Sequence, residues 1–313
     1  DDAEVQPVPA RDVARVEGRT SFVYLGIAQS RVLPCRGFRL REDRLDLDHL
    51  ETVLDSLART GELPRLKLLY LVSYFQNPTG TTTRFAKKAA ALHLLRRYEK
   101  AAGHPIYLVE DAAYRELRCK GGDEKSALAA RGFGDRVIYT GTYSKPFATG
   151  VRVGFGVLPE PVRTVVVRLK GNHDFGTANL LQHLLKRAIT SGRLASHIAT
   201  IQGRYSRKAR VMLKALRKYF PPGVTWIHPG GGLYVWVRLR AGTATGATSK
   251  LFHAALESNV LYVPGALCYA DDPSRPKTDH EMRRSFGSAS EEDIRKGIKR
   301  LGRVIADFID PVP

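Results

Sequence analysis

Apolar residues between positions 66 and 158 fall into short continuous runs that are separated by a helical repeat. The runs at residues 66–72 and 105–109 are nearly uninterrupted, which is typical of strands buried on both faces. Residues 84–102 repeat apolar positions at helical spacing, and Gly103 follows as a common helix terminator. Two further strands are predicted at residues 137–139 and 153–158. This alternation of strand and helix predicts an α/β lobe with a mostly parallel sheet.

The segment before this region gives a weaker pattern. Residues 1–18 are polar and contain proline, so they predict little regular structure. A helix is predicted over residues 45–59, with Asp46 or Asp48 as its N-cap. The other elements predicted here are a helix at residues 22–28 and a strand at residues 31–35.

The second half of the chain mixes the helical and the alternating patterns. Residues 180–220 are helical, with breaks predicted at Gly192 and Gly203. Residues 230–239 alternate like a strand of a partly exposed antiparallel sheet. The remaining predicted elements are helices at residues 249–258 and 291–308 and strands at residues 260–263 and 282–286. This half therefore predicts a smaller α+β lobe.

Three polar residues follow three of the predicted strands. Asn77 lies in a turn after the first apolar run, Asp111 ends the second, and Lys145 comes after the strand at residues 137–139. Ligands of open parallel sheets bind at the carboxyl ends of the strands. We therefore expect a ligand site where these three residues meet.

The turn that contains Lys145 carries further chemistry. Thr142 and Ser144 precede the lysine, and Arg152 follows it by seven residues in a segment punctuated by glycine. Two hydroxyls, an amine and a guanidinium suit an anionic group such as a phosphate. The amine can also form a Schiff base with a carbonyl compound. The alternative is an exposed loop with an ordinary solvated lysine.

Composition narrows the class of protein. The chain has 313 residues, enough for one large domain or two lobes, and 43% of them are hydrophobic, which argues against disorder. No apolar run approaches the length of a membrane span, and no signal peptide is visible. Three widely spaced cysteines disfavour a zinc site and a disulfide framework, so we expect no metal and a reducing, cytoplasmic location.

The chain is strongly basic, with a formal net charge of +19. Such a charge is compatible with binding to nucleic acid or another polyanion. The densest run, residues 204–218, interleaves its cations with apolar residues at helical spacing, as the solvent face of a helix does. We therefore expect no nucleic-acid partner unless a DNA-binding domain lies upstream.

Five motifs together resemble the class I/II aminotransferases, the pyridoxal-phosphate enzymes of fold type I. Each alone is weak, but they occur in the family's order and spacing, and the resemblance runs from about residue 18 to residue 308. They are Asn77-Pro-Thr-Gly80, Asp111-Ala-Ala-Tyr114, Thr142-Tyr-Ser-Lys145 with Arg152, Gly231-Gly-Leu-Tyr-Val-Trp236 and Arg283-Arg-Ser-Phe286.

The resemblance implies a three-layer αβα large domain over residues 1–200, without the family domain's N-terminal part. A smaller α+β domain would cover residues 201–313. It also implies a homodimer that binds pyridoxal 5′-phosphate and moves an amino group from an amino acid to a 2-oxo acid. An enzyme with this activity belongs to the transaminases.

The resemblance also implies catalytic roles for three residues. Lys145 would hold the cofactor as an internal aldimine and then move the substrate α-proton. Asp111 would pair with the protonated pyridine nitrogen, which keeps the ring an electron sink. Tyr114 would, together with Asn77, hydrogen-bond the phenolic oxygen of the ring.

The remaining implied roles concern anionic groups. Thr142, Ser144 and Arg152 would hold the cofactor phosphate. Arg283 would grip the substrate α-carboxylate in a two-pronged fork, which a lysine cannot form. Asn77 would lie on the substrate side as well.

The chain departs from the family pattern at its N-terminal end. Family members extend further there and carry a phosphate loop, an aromatic residue that stacks on the ring and a tyrosine lent to the other subunit. Where the family often has Pro-Thr-Tyr, this chain reads Arg19-Thr-Ser21, and Pro146 follows the lysine. We therefore expect an open cofactor site and exposed apolar surface where the further segment would pack.

Structural interpretations of the same residues stay open. His173 and Asp174 look like a catalytic pair, although the resemblance places their loop, residues 171–176, near the substrate mouth, and a structural role is favoured. The other structural interpretations are a turn former for Asn77, a helix cap for Asp111, a core residue for Tyr114, turn hydrogen bonds for Thr142 and Ser144, and a surface cation for Arg283.

Two other functions are compatible with the motifs. A lyase or decarboxylase uses the same lysine and cofactor on the same scaffold. The ligand-sensing domain of a transcription regulator, in which an aminotransferase-like domain follows a winged-helix DNA-binding domain, would also account for the positive charge.

Overall fold

The computed structural model of the protein describes residues 12–38, 40–41, 44–271 and 277–309. A six-stranded sheet occupies the first half in the order β2-β1-β5-β6-β7-β8, and β3 pairs separately with β4. All neighbours in the large sheet are parallel except β8, which runs antiparallel to β7. These strands are β1 Val13–Glu17, β2 Cys35–Phe38, β3 Leu40–Arg41, β4 Arg44–Leu45, β5 Leu66–Val72, β6 Tyr107–Asp111, β7 Val137–Thr142 and β8 Gly154–Val157.

Eight helices are assigned in the same ranges. They are α1 Phe22–Ser30, α2 Leu47–Arg59, α3 Phe85–Ala102, α4 Val162–Asp174, α5 Asn179–Thr190, α6 Arg193–Tyr219, α7 Lys250–Glu257 and α8 Glu291–Ala306. Within these ranges no helix is long and apolar enough to cross a membrane.

Helices cover both faces of the large sheet. Leu69 and Leu71 of β5 pack on one face against apolar side chains of α2 and α3. Tyr70 and Val72 of the same strand pack on the other face, where α1 contributes Ala28 and α6 contributes Ile201. Because successive side chains of a strand point to opposite faces, an uninterrupted apolar run fills both layers. The predicted α/β fold with a three-layer large domain is confirmed.

A four-stranded antiparallel sheet occupies the second half in the order β11-β12-β10-β9. Its strands are β9 Thr225–Trp226, β10 Tyr234–Arg238, β11 Val263–Pro264 and β12 Glu281–Ser285. Helices α6, α7 and α8 pack on it around a core that includes Met212, Leu251 and Ile298. The division into residues 1–200 and 201–313 stays a prediction, and α6 runs through that boundary.

Two helix ends agree with the predicted signals. Asp46 caps α2, because its carboxylate accepts a hydrogen bond from the backbone N–H of His49 at 3.1 Å. Gly103 ends α3 in the left-handed conformation with φ of 77°. A side chain would be disfavoured at that φ, which explains the glycine.

The prediction of little structure before residue 18 is wrong for the described residues 12–18. All five residues of β1 are buried, including Arg15 and Glu17, and the strand lies between β2 and β5. Two charged residues within five made a buried strand read as polar surface. Residues 1–11 lie outside the described residues.

Other predicted boundaries differ from the structure. Residues 31–34 form a turn and coil after α1, so the strand predicted at 31–35 begins only at Cys35. Gly203 does not break α6, although Gly192 does separate α5 from α6. An interior glycine costs a helix only about 1 kcal/mol, so packing overrides it.

Helix α4 was missed because it buries none of its residues and shows no apolar stripe that faces a core. Val165 and Val167 are more than half exposed, and Phe175 directly after the helix is 95% exposed. Strand β8 is exposed along its whole length. Apolar side chains are therefore exposed around β8 and α4.

Candidate functional site

The carboxylate of Asp111 ends β6 and is held by two donors. The hydroxyl of Tyr70 donates to Oδ2 at 2.6 Å, and the backbone N–H of Ala113 donates to Oδ1 at 3.0 Å. Burial raises the pKa of Tyr70 well above its ordinary value, and the adjacent Asp111 carboxylate adds to the shift. The ring of Tyr24 stacks on Tyr70 with 3.7 Å between centroids. Tyr70 is thus a neutral, fixed donor that orients Asp111.

The turn after β5 brings Asn77 to the same edge of the sheet. Gly80 closes this turn with φ of 72°, and its N–H donates to the carbonyl of Gln76 at 2.7 Å. A Cβ on Gly80 would lie 2.6 Å from the Cβ of Pro229, so only glycine fits. Asn77 is 4% exposed. The tight turn therefore buries the amide of Asn77 beside the strand ends.

Arg283 reaches Asn77 from the second sheet. Its Nη1 donates to Oδ1 of Asn77 at 2.7 Å. Its guanidinium carbon lies 4.3 Å from the ring centroid of Tyr234 and 5.1 Å from that of Phe22. Its Nε is buried and has no hydrogen-bond partner among the described residues. A buried donor without a partner is costly, which fits a carboxylate ligand on this edge of the guanidinium.

Lys145 and Tyr114 lie near each other at the strand ends. The Nζ of Lys145 is 6.0 Å from the ring centroid of Tyr114, and the hydroxyl of Tyr114 is 3.4 Å from that of Tyr234. Burial raises the pKa of Tyr114 far above its ordinary value, so the phenol stays protonated. In the described part of the chain, the amine of Lys145 has no hydrogen-bond partner. It is half-buried and unengaged.

The turn before Arg152 is more open. Thr142 Oγ1 accepts the N–H of Ser144 at 3.0 Å, so this hydroxyl also serves the turn itself. Arg152 is exposed and has φ of 49°, a conformation that costs a side-chain-bearing residue free energy. Such strain is frequently retained at functional sites. The donors predicted for a phosphate thus lie together in sequence, with Thr142 and Ser144 half-buried and Arg152 exposed.

The structure joins some predicted residues by contacts and leaves others apart. Asn77 contacts Arg283 directly, and Lys145 approaches Tyr114. Among the described residues, no hydrogen bond or ion pair joins Arg152 to the rest of the site. Since these assignments rest on the family pattern, their individual roles stay predictions.

His173 and Asp174 form no catalytic pair. Both lie in the exposed last turn of α4, where the carboxylate of Asp174 pairs with Lys170 and accepts the N–H of Gly176 at 2.9 Å. These contacts support the structural role.

Four aromatic residues of the site were missed. Tyr70 orients Asp111, Tyr24 stacks on Tyr70, and Phe22 and Tyr234 flank Arg283. Tyr70 stands in an apolar run and Phe22 and Tyr24 in a short helix, where aromatic residues are typical of a core. The signal for Tyr234 was present, since it belongs to the motif at residues 231–236.

The fold places this chain among the pyridoxal-phosphate-dependent enzymes of fold type I. A kynurenine aminotransferase of Pyrococcus horikoshii, solved with PMP, superposes with a TM-score of 0.86 at 32% identity, covering 96% of this chain and 70% of that one. LysN, the α-aminoadipate aminotransferase of Thermus thermophilus, gives a TM-score of 0.82 at 29% identity, covering 95% and 72%.

The family model for aminotransferase class I and II matches residues 23–301, so the chain belongs to this family. An aromatic-amino-acid aminotransferase of Thermococcus litoralis is 34% identical over 86% of this chain. A 2-aminoadipate transaminase of Thermus thermophilus is 33% identical over 86%. The chain spans 60% of the first relative's length and 63% of the second's.

Relatives with another description match as well. The uncharacterised HTH-type transcriptional regulator YdfD of Bacillus subtilis is 28% identical over 93% of this chain, which spans 57% of its length.

The donor set fits pyridoxal phosphate. The group needs an amine for its aldehyde, a carboxylate for its ring nitrogen, donors for its phenolic oxygen and donors for its phosphate. The side chains that could meet these needs are Lys145, Asp111, Asn77 with Tyr114, and Thr142, Ser144 and Arg152 respectively. The Nε of Arg283, which has no partner among the described residues, is a donor that a substrate carboxylate would satisfy.

Proposed function

We propose that the protein is an aminotransferase that moves an amino group from an amino acid to a 2-oxo acid. The observation that carries the proposal is the contact between Arg283 and Asn77, at 2.7 Å. The contact supports the proposal because it brings the guanidinium of Arg283, whose Nε has no partner among the described residues, to the strand ends that bear Asp111 and precede Lys145. Both substrates of a transaminase carry an α-carboxylate, so one arginine serves both half-reactions.

Each residue has a defined task in this reaction. Bound pyridoxal phosphate supplies an electron sink for the charge that develops at the substrate Cα. Lys145 holds the cofactor and then moves the proton at Cα, since its half-buried amine has no other partner among the described residues. Asp111, oriented by Tyr70, holds the protonated ring nitrogen. Arg283 orients the substrate through its carboxylate.

The remaining donors hold and orient the cofactor. Tyr114 keeps its proton because of its burial, so it is a donor to the phenolic oxygen, and Asn77 lies beside it on the substrate side. Thr142, Ser144 and Arg152 bind the phosphate, for which two hydroxyls and a guanidinium are suitable donors.

The substrate panel follows from the relatives. Their names specify aromatic amino acids, kynurenine and 2-aminoadipate. Phe22 and Tyr234 beside Arg283 offer apolar ring surface to a substrate side chain. We therefore propose aromatic amino acids as the first donors to test.

We further propose a homodimer in the cytoplasm. The exposed apolar surface around β8 and α4 is suited to a subunit contact. The three cysteines are unpaired, as expected in a reducing compartment.

A second candidate is the effector-sensing domain of a transcription regulator. It is favoured by the match to the regulator YdfD and by the net charge of +19. Such a domain would bind cofactor and ligand with the same residues but would not need to turn over.

The test is a product assay. The purified protein is supplied with pyridoxal phosphate, 2-oxoglutarate and each donor amino acid, and the products are identified by mass spectrometry. Glutamate and the matching 2-oxo acid are expected. Carbon dioxide with an amine would indicate a decarboxylase instead. Cofactor and amino-acid binding without any product would favour the sensing domain.

A further inference from the structure

A buried carboxylate lies two residues before Arg283 on the same strand. Glu281 is fully buried in β12, and three side chains donate to it. The guanidinium of Arg19 lies 3.1 Å away through Nη2, and Nε of Arg238 is 2.9 Å away. The hydroxyl of Tyr269 donates as well, and it accepts Nε of Arg19 at 2.9 Å.

Arg19 reaches this cluster from the other sheet. It follows β1 by two residues, yet its ion pair with Glu281 joins positions 262 residues apart. Its backbone carbonyl accepts Nε2 of Gln76 at 2.8 Å. The next residue, Thr20, donates its N–H to the carbonyl of Cys268 at 2.8 Å. One short segment therefore contacts both the turn that bears Asn77 and the second sheet.

These contacts close a ring around the substrate-binding arginine. Residues two apart on a strand share a face, so Glu281 and Arg283 project to the same side of β12. Arg283 donates to Asn77, whose neighbour in sequence is Gln76. Gln76 donates to the backbone carbonyl of Arg19, and the guanidinium of Arg19 pairs with Glu281 on the strand of Arg283. A shift of β12 relative to the turn at residues 76–80 would break at least one member of this ring.

The buried carboxylate of Glu281 depends on its hydrogen-bond donors to stay charged. Burial opposes ionisation of Glu281, but the positive charge of Arg19 and the donated hydrogen bonds outweigh it, so its pKa lies below the ordinary value. Removal of Arg19 would leave that carboxylate buried beside fewer donors, which favours rearrangement of the strand.

We propose that Arg19 and Glu281 are positioning residues that hold Arg283 at Asn77 in the geometry that binds a substrate carboxylate. Neither residue touches the reacting atoms. They act by fixing β12 against the turn at residues 76–80. This proposal rests on the proposed function for its kinetic readout, whereas its structural readout is independent of that function.

The kinetic test uses Arg19→Met, Glu281→Gln and the conservative variant Arg19→Lys in the cofactor-loaded protein. In Arg19→Met and Glu281→Gln, Arg283 should lose its position for the charge-assisted contact with the substrate carboxylate. The KM for amino acid and for 2-oxo acid should then both rise by roughly tenfold. The kcat should change much less, and Arg19→Lys should recover part of the KM. A merely structural role would lower the melting temperature and the active fraction but leave KM unchanged, which would overturn the proposal.

The matched control is Arg97→Met. This variant also removes an arginine from an ion pair, with Glu51 at 2.6 Å, but the pair is exposed and far from Arg283 in sequence. It should leave KM and kcat unchanged. An equal rise in KM in this control would show that the effect is not specific to the ring.

The structural test is the crystal structure of Arg19→Met. Loss of the 2.7 Å contact between Arg283 and Asn77 is expected. An unchanged contact would contradict the proposal even if the protein transaminates nothing. If Arg19→Met does not fold, the same contact is measured in Glu281→Gln and Arg19→Lys, whose side chains keep hydrogen-bonding capacity. Absence of turnover in the wild type would count against the proposed function alone.

Discussion

The two sides of the candidate site differ in how completely this chain builds them. The inner side, defined as Tyr70, Asn77, Asp111 and Arg283, is buried or half-buried, and each member hydrogen-bonds a neighbour. The outer side is defined as Thr142, Ser144 and Arg152. Its two hydroxyl residues are half-buried, and its only cation, Arg152, is exposed. Tyr70 and Asp111 of the inner side lie on strands of the large sheet, which helices cover on both faces. The outer side borders β8 and α4, which expose their apolar residues.

This difference indicates which parts of the site depend on residues beyond those of this chain, in further sequence or in a second subunit. The inner side is held by hydrogen bonds between its own members, from Tyr70 to Asp111 and from Arg283 to Asn77. The outer side has few donors and an uncovered flank, and the relatives are longer than this chain. We infer that the outer side gains contacts from further sequence or from a second subunit.

The largest expected effect on the inner side is loss of activity in Asp111→Asn. An amide cannot neutralise the ring nitrogen, so kcat should fall by orders of magnitude. The fold should persist, because the amide oxygen can still accept the N–H of Ala113 and the amide NH2 can donate to the hydroxyl oxygen of Tyr70. Activity and circular dichroism are measured together. A variant that unfolds would instead support a purely structural role.

A large loss of stability is expected from Lys88→Met. Lys88 and Glu110 are fully buried and 2.8 Å apart, and Glu110 immediately precedes Asp111 on β6. Removal of one partner leaves a buried charge, at a cost of about 3–5 kcal/mol in the free energy of unfolding. Urea denaturation measures the change.

The matched control for this pair is Lys296→Met. Its ion pair with Glu292 is 2.6 Å long but exposed, so no measurable change in the unfolding midpoint is expected. Equal effects of the two substitutions would refute the view that burial decides how much the ion pair next to Asp111 contributes to stability.

A smaller effect is expected on the affinity for the cofactor when the chain is extended at its N-terminal end. Each charge-assisted hydrogen bond is worth roughly 1.5–3 kcal/mol, so lack of two or three phosphate donors weakens binding by several factors of ten. Residues 1–313 alone should therefore hold pyridoxal phosphate more weakly than a version extended by the N-terminal segment that the family pattern predicts. Fluorescence titration of both compares the dissociation constants. Equal constants, or a crystal structure with the cofactor enclosed by these residues alone, would contradict the inference.

The smallest effects separate the two sides from each other. Arg283→Lys loses the planar fork, and KM for amino acid and oxo acid should rise about ten- to a hundredfold with little change in cofactor affinity. Arg152→Ala should do the reverse, weakening cofactor binding with KM nearly unchanged at saturating cofactor. If each substitution changed both KM and the dissociation constant of the cofactor, the division into inner and outer sides would be wrong.

The sequence predicts the inner side only in part, for physical reasons. Asn77, Asp111 and Lys145 are foreseeable, because carboxyl ends of parallel strands share one edge. The hydrogen bond from Tyr70 to Asp111 joins residues 41 apart, and it depends on strand register that no local pattern specifies. The ion pair of Arg19 with Glu281 spans 262 residues. Helix α4 escapes prediction because its apolar residues face no core within the described residues.

The most direct test of the central claim is covalent trapping at Lys145. The protein is loaded with pyridoxal phosphate, reduced with sodium borohydride, digested and mapped by mass spectrometry. The account predicts a phosphopyridoxyl group on Lys145 and none on that peptide in Lys145→Ala, which should also lose turnover. A label on another lysine, or normal turnover in Lys145→Ala, would contradict it.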